Sequence, residues 1–129
     1  LSLPATAPLR SLIDIKKGLQ ALKNNVDIVV SMTKSKRSPW FNMVTKDKDE
    51  SINLVMNTSS ITRRQDSPVC YDLTTAFYVA RTEFILNASK LWDGKVVGVE
   101  IPEERSIDID NQYDFNIAEY FSAKSKLLN

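Results

Sequence analysis

Two aspartates stand two residues apart near the C-terminal end of this sequence, in the run Arg105-Ser106-Ile107-Asp108-Ile109-Asp110. In an extended segment, residues two apart share a face. Asp108 and Asp110 then point one way, while Ile107 and Ile109 point the other and can enter a core. Carboxylates held that close repel each other, so a positive charge is expected to compensate. A hard divalent cation suits the position. Magnesium takes oxygen ligands and is usually held by one or two carboxylates together with substrate phosphates. The plainer alternative is that Asp110 caps the helix that follows and Asp108 is a solvated strand end, since Asp is a preferred N-cap. A second group lies upstream, where Arg63 and Arg64 stand beside Gln65, ahead of Pro68. Paired arginines are often surface charge, and they also suit bidentate contact with phosphate or carboxylate.

Two absences narrow the chemistry. The 129 residues include no histidine. That rules out, within this chain, a Ser-His-Asp triad, a Cys-His pair and His-ligated zinc. The three glycines, Gly18, Gly94 and Gly98, lie far apart. A phosphate-cradling loop needs clustered glycines so that backbone amides can approach the anion. If a nucleotide is handled, its phosphate loop is expected outside these residues. The 17 basic and 16 acidic side chains leave a net charge of +1, which offers no overall field for nucleic acid or an anionic membrane. No apolar run approaches the ~18 residues of a membrane span, and no signal peptide is visible. The single cysteine, Cys70, excludes an internal disulfide and fits a reducing, cytoplasmic setting. Hydrophobic residues at 43% and charged residues at 26% are ordinary for one soluble globular domain.

The elements that must position these residues follow from periodicity. Leu1-Ser2-Leu3 reads as the end of a buried strand, and the two prolines of Pro4 to Arg10 make a loop. Ser11 is a good N-cap with Asp14 three residues on. Leu12, Ile15, Leu19 and Leu22 recur at helical spacing, predicting an amphipathic helix over 11–23. Asp27 to Thr33 is β-branched and reads as a buried strand. Strand, helix, strand at this spacing is a βαβ unit and argues for a parallel sheet. From Lys34 to Thr62 the chain is a polar excursion carrying Trp40 and Phe41, with a half-exposed strand over 51–57. Its aromatic pair is either local packing or the anchor of a subunit interface. Tyr71 to Ala80 enters a strand, and Arg81 to Ala88 is a short helix with Phe84 and Ile85 inward. Lys95 to Ile101 is a β-run. A final helix over 112–124 buries Ile117, Ala118 and Phe121 with Tyr113, ahead of a fraying tail.

Several segments together resemble one family, the acylneuraminate cytidylyltransferases or CMP-sialic acid synthetases, across its C-terminal portion. Leu3-Pro4-Ala5-Thr6-Ala7-Pro8-Leu9-Arg10 is similar to the family's Leu-Gln-Pro-Thr-Ser-Pro-Leu-Arg segment. Arg64-Gln65, Pro68, Tyr71 and Ala76-Phe77-Tyr78-Val79 resemble its Arg-Gln, Pro, Tyr and Ala-Ile-Tyr-Val stretch. Pro102 to Asp110 resembles its signature most closely, and Asp114 to Glu119 continues the likeness. The resemblance implies a Rossmann-like three-layer α/β/α nucleotidyltransferase fold, of which the nucleotide-loop part is missing here. It implies an enzyme joining CTP to a nonulosonic acid with magnesium, giving a CMP-sugar and pyrophosphate. It also implies a homodimer formed through the 34–62 excursion. Asp108 and Asp110 would hold the metal, with Arg10 as a further catalytic residue. Thr6, Arg64, Gln65, Tyr71, Thr74 and Thr75 would line the substrate site. The chain departs from the pattern at Pro4, where the family has Gln, and at Thr74-Thr75, where it has Asn-Gly. Both changes bear on the sugar that is bound. Two other readings stay open. One is a related sugar nucleotidyltransferase such as a 3-deoxy-octulosonate cytidylyltransferase, and the other is a non-catalytic dimerising homologue.

Overall fold

The computed structural model describes residues 1–57, 61 and 63–126, the last two by backbone alone. Parts of two expectations, residues 58–60 and 62 of the excursion and 127–129 of the tail, lie outside the described residues. The chain divides into two compact units. One comprises Leu1–Thr33 with Leu73–Asn129, and the other Lys34–Asp72.

The first unit is α/β. Its sheet has the order β4 (Tyr71–Ala80), β1 (Ile28–Lys34), β5 (Val96–Glu100). Strand β1 is central and buried along nearly its whole length, as its unbroken β-branched run predicts. β5 pairs with it in parallel, from Ile28 against Val96 to Met32 against Glu100. On the other side, Arg81 N–H donates to Asp27 O at 2.9 Å, and Ser31 meets Thr74 and Phe77. Numbering therefore runs in opposite senses, and β4 is antiparallel to β1. Val26, Val29, Ala76, Phe77, Val79 and Ile101 form the core, with Ala21, Leu22, Val97 and Val99 packed against it.

The βαβ unit expected from Leu1 to Thr33 does not form. Ser2 makes a single antiparallel bridge to Tyr78, and Leu1 and Leu3 are exposed. Pro4 follows immediately and cannot donate to a ladder. The parallel partner of β1 is β5 instead.

Helix α1 (Leu12–Ala21) opens on the expected capping box, with Ser11 as N-cap and Asp14 at its third position. The side it buries is rotated from the one the spacing predicts, with Ile15 and Leu22 half-buried as expected. Asp14 and Gly18 are the buried residues, whereas Leu12 is 74% exposed and Leu19 is also exposed. Glycine lets the helix approach the sheet closely, since a Cβ at Gly18 would fall inside the van der Waals shell of the Phe77 ring. In α2 (Thr82–Asn87) Phe84 is half-buried as expected, but Ile85 is 64% exposed. In α3 (Gln112–Lys126) Ala118 is buried and Ile117 and Phe121 half-buried. Tyr113 is 72% exposed, so it does not join that face.

The second unit holds a hairpin, β2 (Val44–Lys46) against β3 (Ile52–Leu54), with Val44 opposite Leu54 and Lys46 opposite Ile52. All six strand residues are exposed. Its tip is a turn in which Glu50 takes φ 70° and Ser51 donates to Asp49 at 2.7 Å. Ser35 N–H donates to Cys70 O and ties the ends of the unit together. Trp40 and Phe41 are half-buried within it.

Candidate functional site

The loop Pro4–Arg10 and the segment Ser106–Asp110 lie side by side in the first unit. Ile109 N–H donates to Thr6 O at 2.9 Å. Ser106–Asp110 joins no strand, and Ile107, Asp108 and Ile109 are all half-buried. The clean two-faced alternation expected of an extended run is therefore not realised. One bond to a neighbouring loop does not impose the pleat that a ladder would.

The two carboxylates differ. Asp108 Oδ1 is buried, with no hydrogen-bond partner among the described residues. A buried acceptor without a donor is costly, more so when charged. Asp110 is exposed, and its backbone N–H donates to Asp114 Oδ2 at 3.2 Å. Asn111 caps α3 instead, its Oδ1 accepting from the N–H groups of Tyr113 and Asp114 at 2.9 and 3.2 Å. The capping alternative for Asp110 thus passes to its neighbour. A hard cation fits the oxygen that Asp108 leaves unpaired. Among the described residues no group of three or more His, Cys, Asp or Glu is placed to hold a metal. A cation here would complete its shell with water or substrate oxygens.

Arg10 turns inward, its Nη1 donating to Pro4 O and Ala76 O. Proline at position 4 thus loses a side-chain donor, yet its carbonyl anchors the arginine. Thr6 is exposed beside the Ile109 bond. Thr74 is buried and its hydroxyl donates to Ser31 Oγ at 2.7 Å, so it faces the core. Thr75, the next residue of β4, has a buried hydroxyl without a partner among the described residues. Arg10, Thr6, Thr75 and Asp108 therefore belong to one unit. Arg64, Gln65 and Tyr71 belong to the other. Arg64 and Gln65 are exposed in a 3-10 turn over Arg64–Asp66, where Arg64 Nη2 donates to Lys36 O at 3.2 Å. Tyr71 is exposed at the start of β4.

One group at the site is missed by sequence reasoning. Arg105 Nε and Nη2 donate to Asp14 Oδ2 and Oδ1 at 2.7 and 2.9 Å. Asp14 is fully buried, and the Arg105 side chain is 29% exposed. Burial alone would push the Asp14 carboxyl up. Hydrogen bonds from Arg105, then from the Ser11 side chain and backbone, outweigh it and hold the carboxyl below its usual range. The same bond raises the Arg105 guanidinium. The signal available in the sequence is a charged residue among apolar helix positions, which a capping box already explains.

No protein-family model matches the chain. The chain is 30% identical to the post-translational flagellin modification protein B of Campylobacter coli, over 98% of its own length and 54% of that relative. It is also 30% identical to a CMP-N,N'-diacetyllegionaminic acid synthase of Campylobacter jejuni subsp. jejuni, over 77% of its own length and 41% of that protein. The resemblance to the CMP-sialic acid synthetase family is borne out. The chain spans about half the length of the relatives it matches. No described helix is long and apolar enough to cross a membrane.

Proposed function

We propose that the protein carrying this chain is a cytidylyltransferase that joins CTP to a nonulosonic acid of the sialic or legionaminic kind. The observation that carries the reading is Asp108 Oδ1, buried and without a partner among the described residues, in the segment most like the family signature. The relative named for CMP-N,N'-diacetyllegionaminic acid synthesis supports the substrate class. In the reaction, the anomeric hydroxyl of the sugar acid forms a bond to the α-phosphorus of CTP. The α–β phosphoanhydride bond breaks, pyrophosphate leaves with its electron pair, and the hydroxyl proton passes to Asp108 or Asp110. Such transfers need positioning and charge neutralisation more than covalent help from the protein, which suits a chain without histidine. Asp108 and Asp110 would hold Mg2+ with substrate oxygens. When bound, the ion offsets phosphate charge and makes the hydroxyl easier to deprotonate. Thr75 brings a hydroxyl with open hydrogen-bonding capacity to the sugar acid, and Thr6 lines the same side. Arg10 holds the Pro4 loop against β4, next to Thr75. Arg64, Gln65 and Tyr71 keep the substrate-binding roles that the resemblance implies. The reading includes a Rossmann-like α/β/α nucleotidyltransferase fold for the whole protein. It also includes a homodimer built through the 34–62 excursion, with Trp40 or Phe41 as anchor.

The test is a Mg2+ titration of pyrophosphate release by the intact protein. CTP is offered with N-acetylneuraminic acid, diacetyllegionaminic acid or 3-deoxy-octulosonate. Asp108→Asn and Asp110→Asn are nearly isosteric, and each is expected to slow turnover by about a hundredfold or more with melting temperature nearly unchanged. Near-normal rates in both variants at ordinary Mg2+ would sink the metal role. Preference for 3-deoxy-octulosonate would move the protein to the related transferase class.

A further inference from the structure

The carboxylate segment is tethered at both ends. Arg105, three residues before Asp108, forks onto Asp14 at 2.7 and 2.9 Å. Ile109, the residue after Asp108, donates its N–H to Thr6 O at 2.9 Å. Asp108 stands between the two tethers, its buried Oδ1 without a partner among the described residues. No ladder pairing holds 106–110, so these bonds carry the burden of placing it. Asp14 is itself rigidly held. It is fully buried in the first turn of α1, and it accepts from Ser11 N–H and Ser11 Oγ at 3.1 and 2.8 Å. A planar guanidinium bound through two nitrogens to such a carboxylate has little rotational freedom. Its backbone, and the residues that follow, inherit that constraint. Arg10, four residues before Asp14, ties the same helix start to Ala76 O. The N-terminus of α1 is thus a common reference for the Pro4 loop, the Thr75 strand and the carboxylate segment.

We propose that the Asp14–Arg105 ion pair is a positioning pair, setting where the Asp108 carboxylate stands and so the affinity of the site for a divalent cation. This rests on the metal role assigned above to Asp108. Neither residue of the pair is a ligand. The pair acts through the three-residue connection from Arg105 to Asp108, and a metal site loses affinity when the groups that orient its ligands are loosened. A lysine at 105 keeps a positive charge near Asp14 but loses the fork. Ser11→Ala is the matched control, because it removes one partner of Asp14 and the helix cap while leaving the Arg105 fork in place.

The probe is Mn2+ alone, titrated into the intact protein and followed by the electron paramagnetic resonance signal of the unbound ion. Melting curves are recorded beside it. Asp108→Asn defines the binding that belongs to this site. Arg105→Lys is expected to weaken that binding by about tenfold, the lower range for outer groups of metal sites. Ser11→Ala is expected to lower the melting temperature and leave Mn2+ affinity where it was. If Arg105→Lys melts below the assay temperature, Asp14→Asn combined with Arg105→Gln repeats the test without a buried charge, and the same loss of affinity is expected. Parental affinity in the folded Arg105 variant would overturn the positioning role alone. So would equal loss in Ser11→Ala and Arg105→Lys, which marks a general stability effect. Absence of Mn2+ binding that Asp108→Asn removes from the parent would overturn both this pair's role and the metal reading.

Discussion

Asp14 collects four donors on one buried carboxylate, two from Ser11 and two from Arg105. Its carboxyl is held below the usual range in the folded protein. The unfolded chain titrates this group at about 3.9, so the folded state binds the proton less readily. The stability this provides is complete above the unfolded value and is lost as pH falls through the depressed folded one. Arg105, raised in turn, stays charged throughout that window. Asp14→Asn is therefore expected to cost about 2–3 kcal/mol at neutral pH, since it leaves a partly buried guanidinium without its anion. It should also flatten the acid limb of the stability curve below about pH 4. Urea unfolding at neutral pH and at pH 3 checks both points. An acid limb as steep as the parent's would show that other carboxylates govern it.

At the scale of elements, α1 and β4 meet at a glycine and a phenylalanine. A methyl at Gly18 would collide with the Phe77 ring, which is fully buried and not free to swing aside. Gly18→Ala gains about 1 kcal/mol in helix propensity. Overpacking of a closed core costs about 1–3 kcal/mol. Net destabilisation is expected, read as a lower denaturant midpoint with an unchanged slope. A stabilised variant would mean that the helix can lift from the sheet without loss. Ser31 explains why β4 lies where it does. Its hydroxyl contacts Thr74 and Phe77 from the middle of β1, while the buried Thr75 hydroxyl meets no partner among the described residues. Adjacent threonines look equivalent in a sequence, and only strand pleat and pairing separate them.

Over the whole molecule, the amount of apolar surface left uncovered stands out. In the first unit Leu12, Ile13, Leu19, Ile85, Leu86, Trp92, Tyr113 and Tyr120 are all exposed. Scattered exposed apolar residues are normal, but two of these helices turn their main apolar positions outward, and uncovered patches drive association. The 129-residue chain studied alone is expected to self-associate as its concentration rises, by sedimentation velocity. Leu12→Lys with Leu86→Lys should shift it toward monomer without lowering its helical signal. A parent chain that remains monomeric across the micromolar range would show that these residues form no adhesive patch.

The sequence by itself determined the local features. The buried β1 strand, the Ser11–Asp14 capping box, the β-run at 95–101 and the last helix all follow from periodicity and capping, which act over a few residues, whereas the parallel pairing of that run with β1 is tertiary. The motif order from Pro4 to Glu119 determined the family resemblance, and the lack of histidine and clustered glycine bounded the chemistry. Tertiary structure alone decided which faces are buried. Leucine spacing marked Leu12 and Leu19 for the core of the first unit, yet Asp14 and Gly18 occupy that face. Arg105 supplies a partner for the buried charge, and Phe77 fills the space above the glycine. Those partners are 91 residues away and more than fifty residues away in the chain, and no local pattern encodes them. The same holds for Asp110. Asp and Asn are equally good caps in sequence, and the chain's entry into α3 gives the cap to Asn111, leaving the Asp110 carboxylate open for other work.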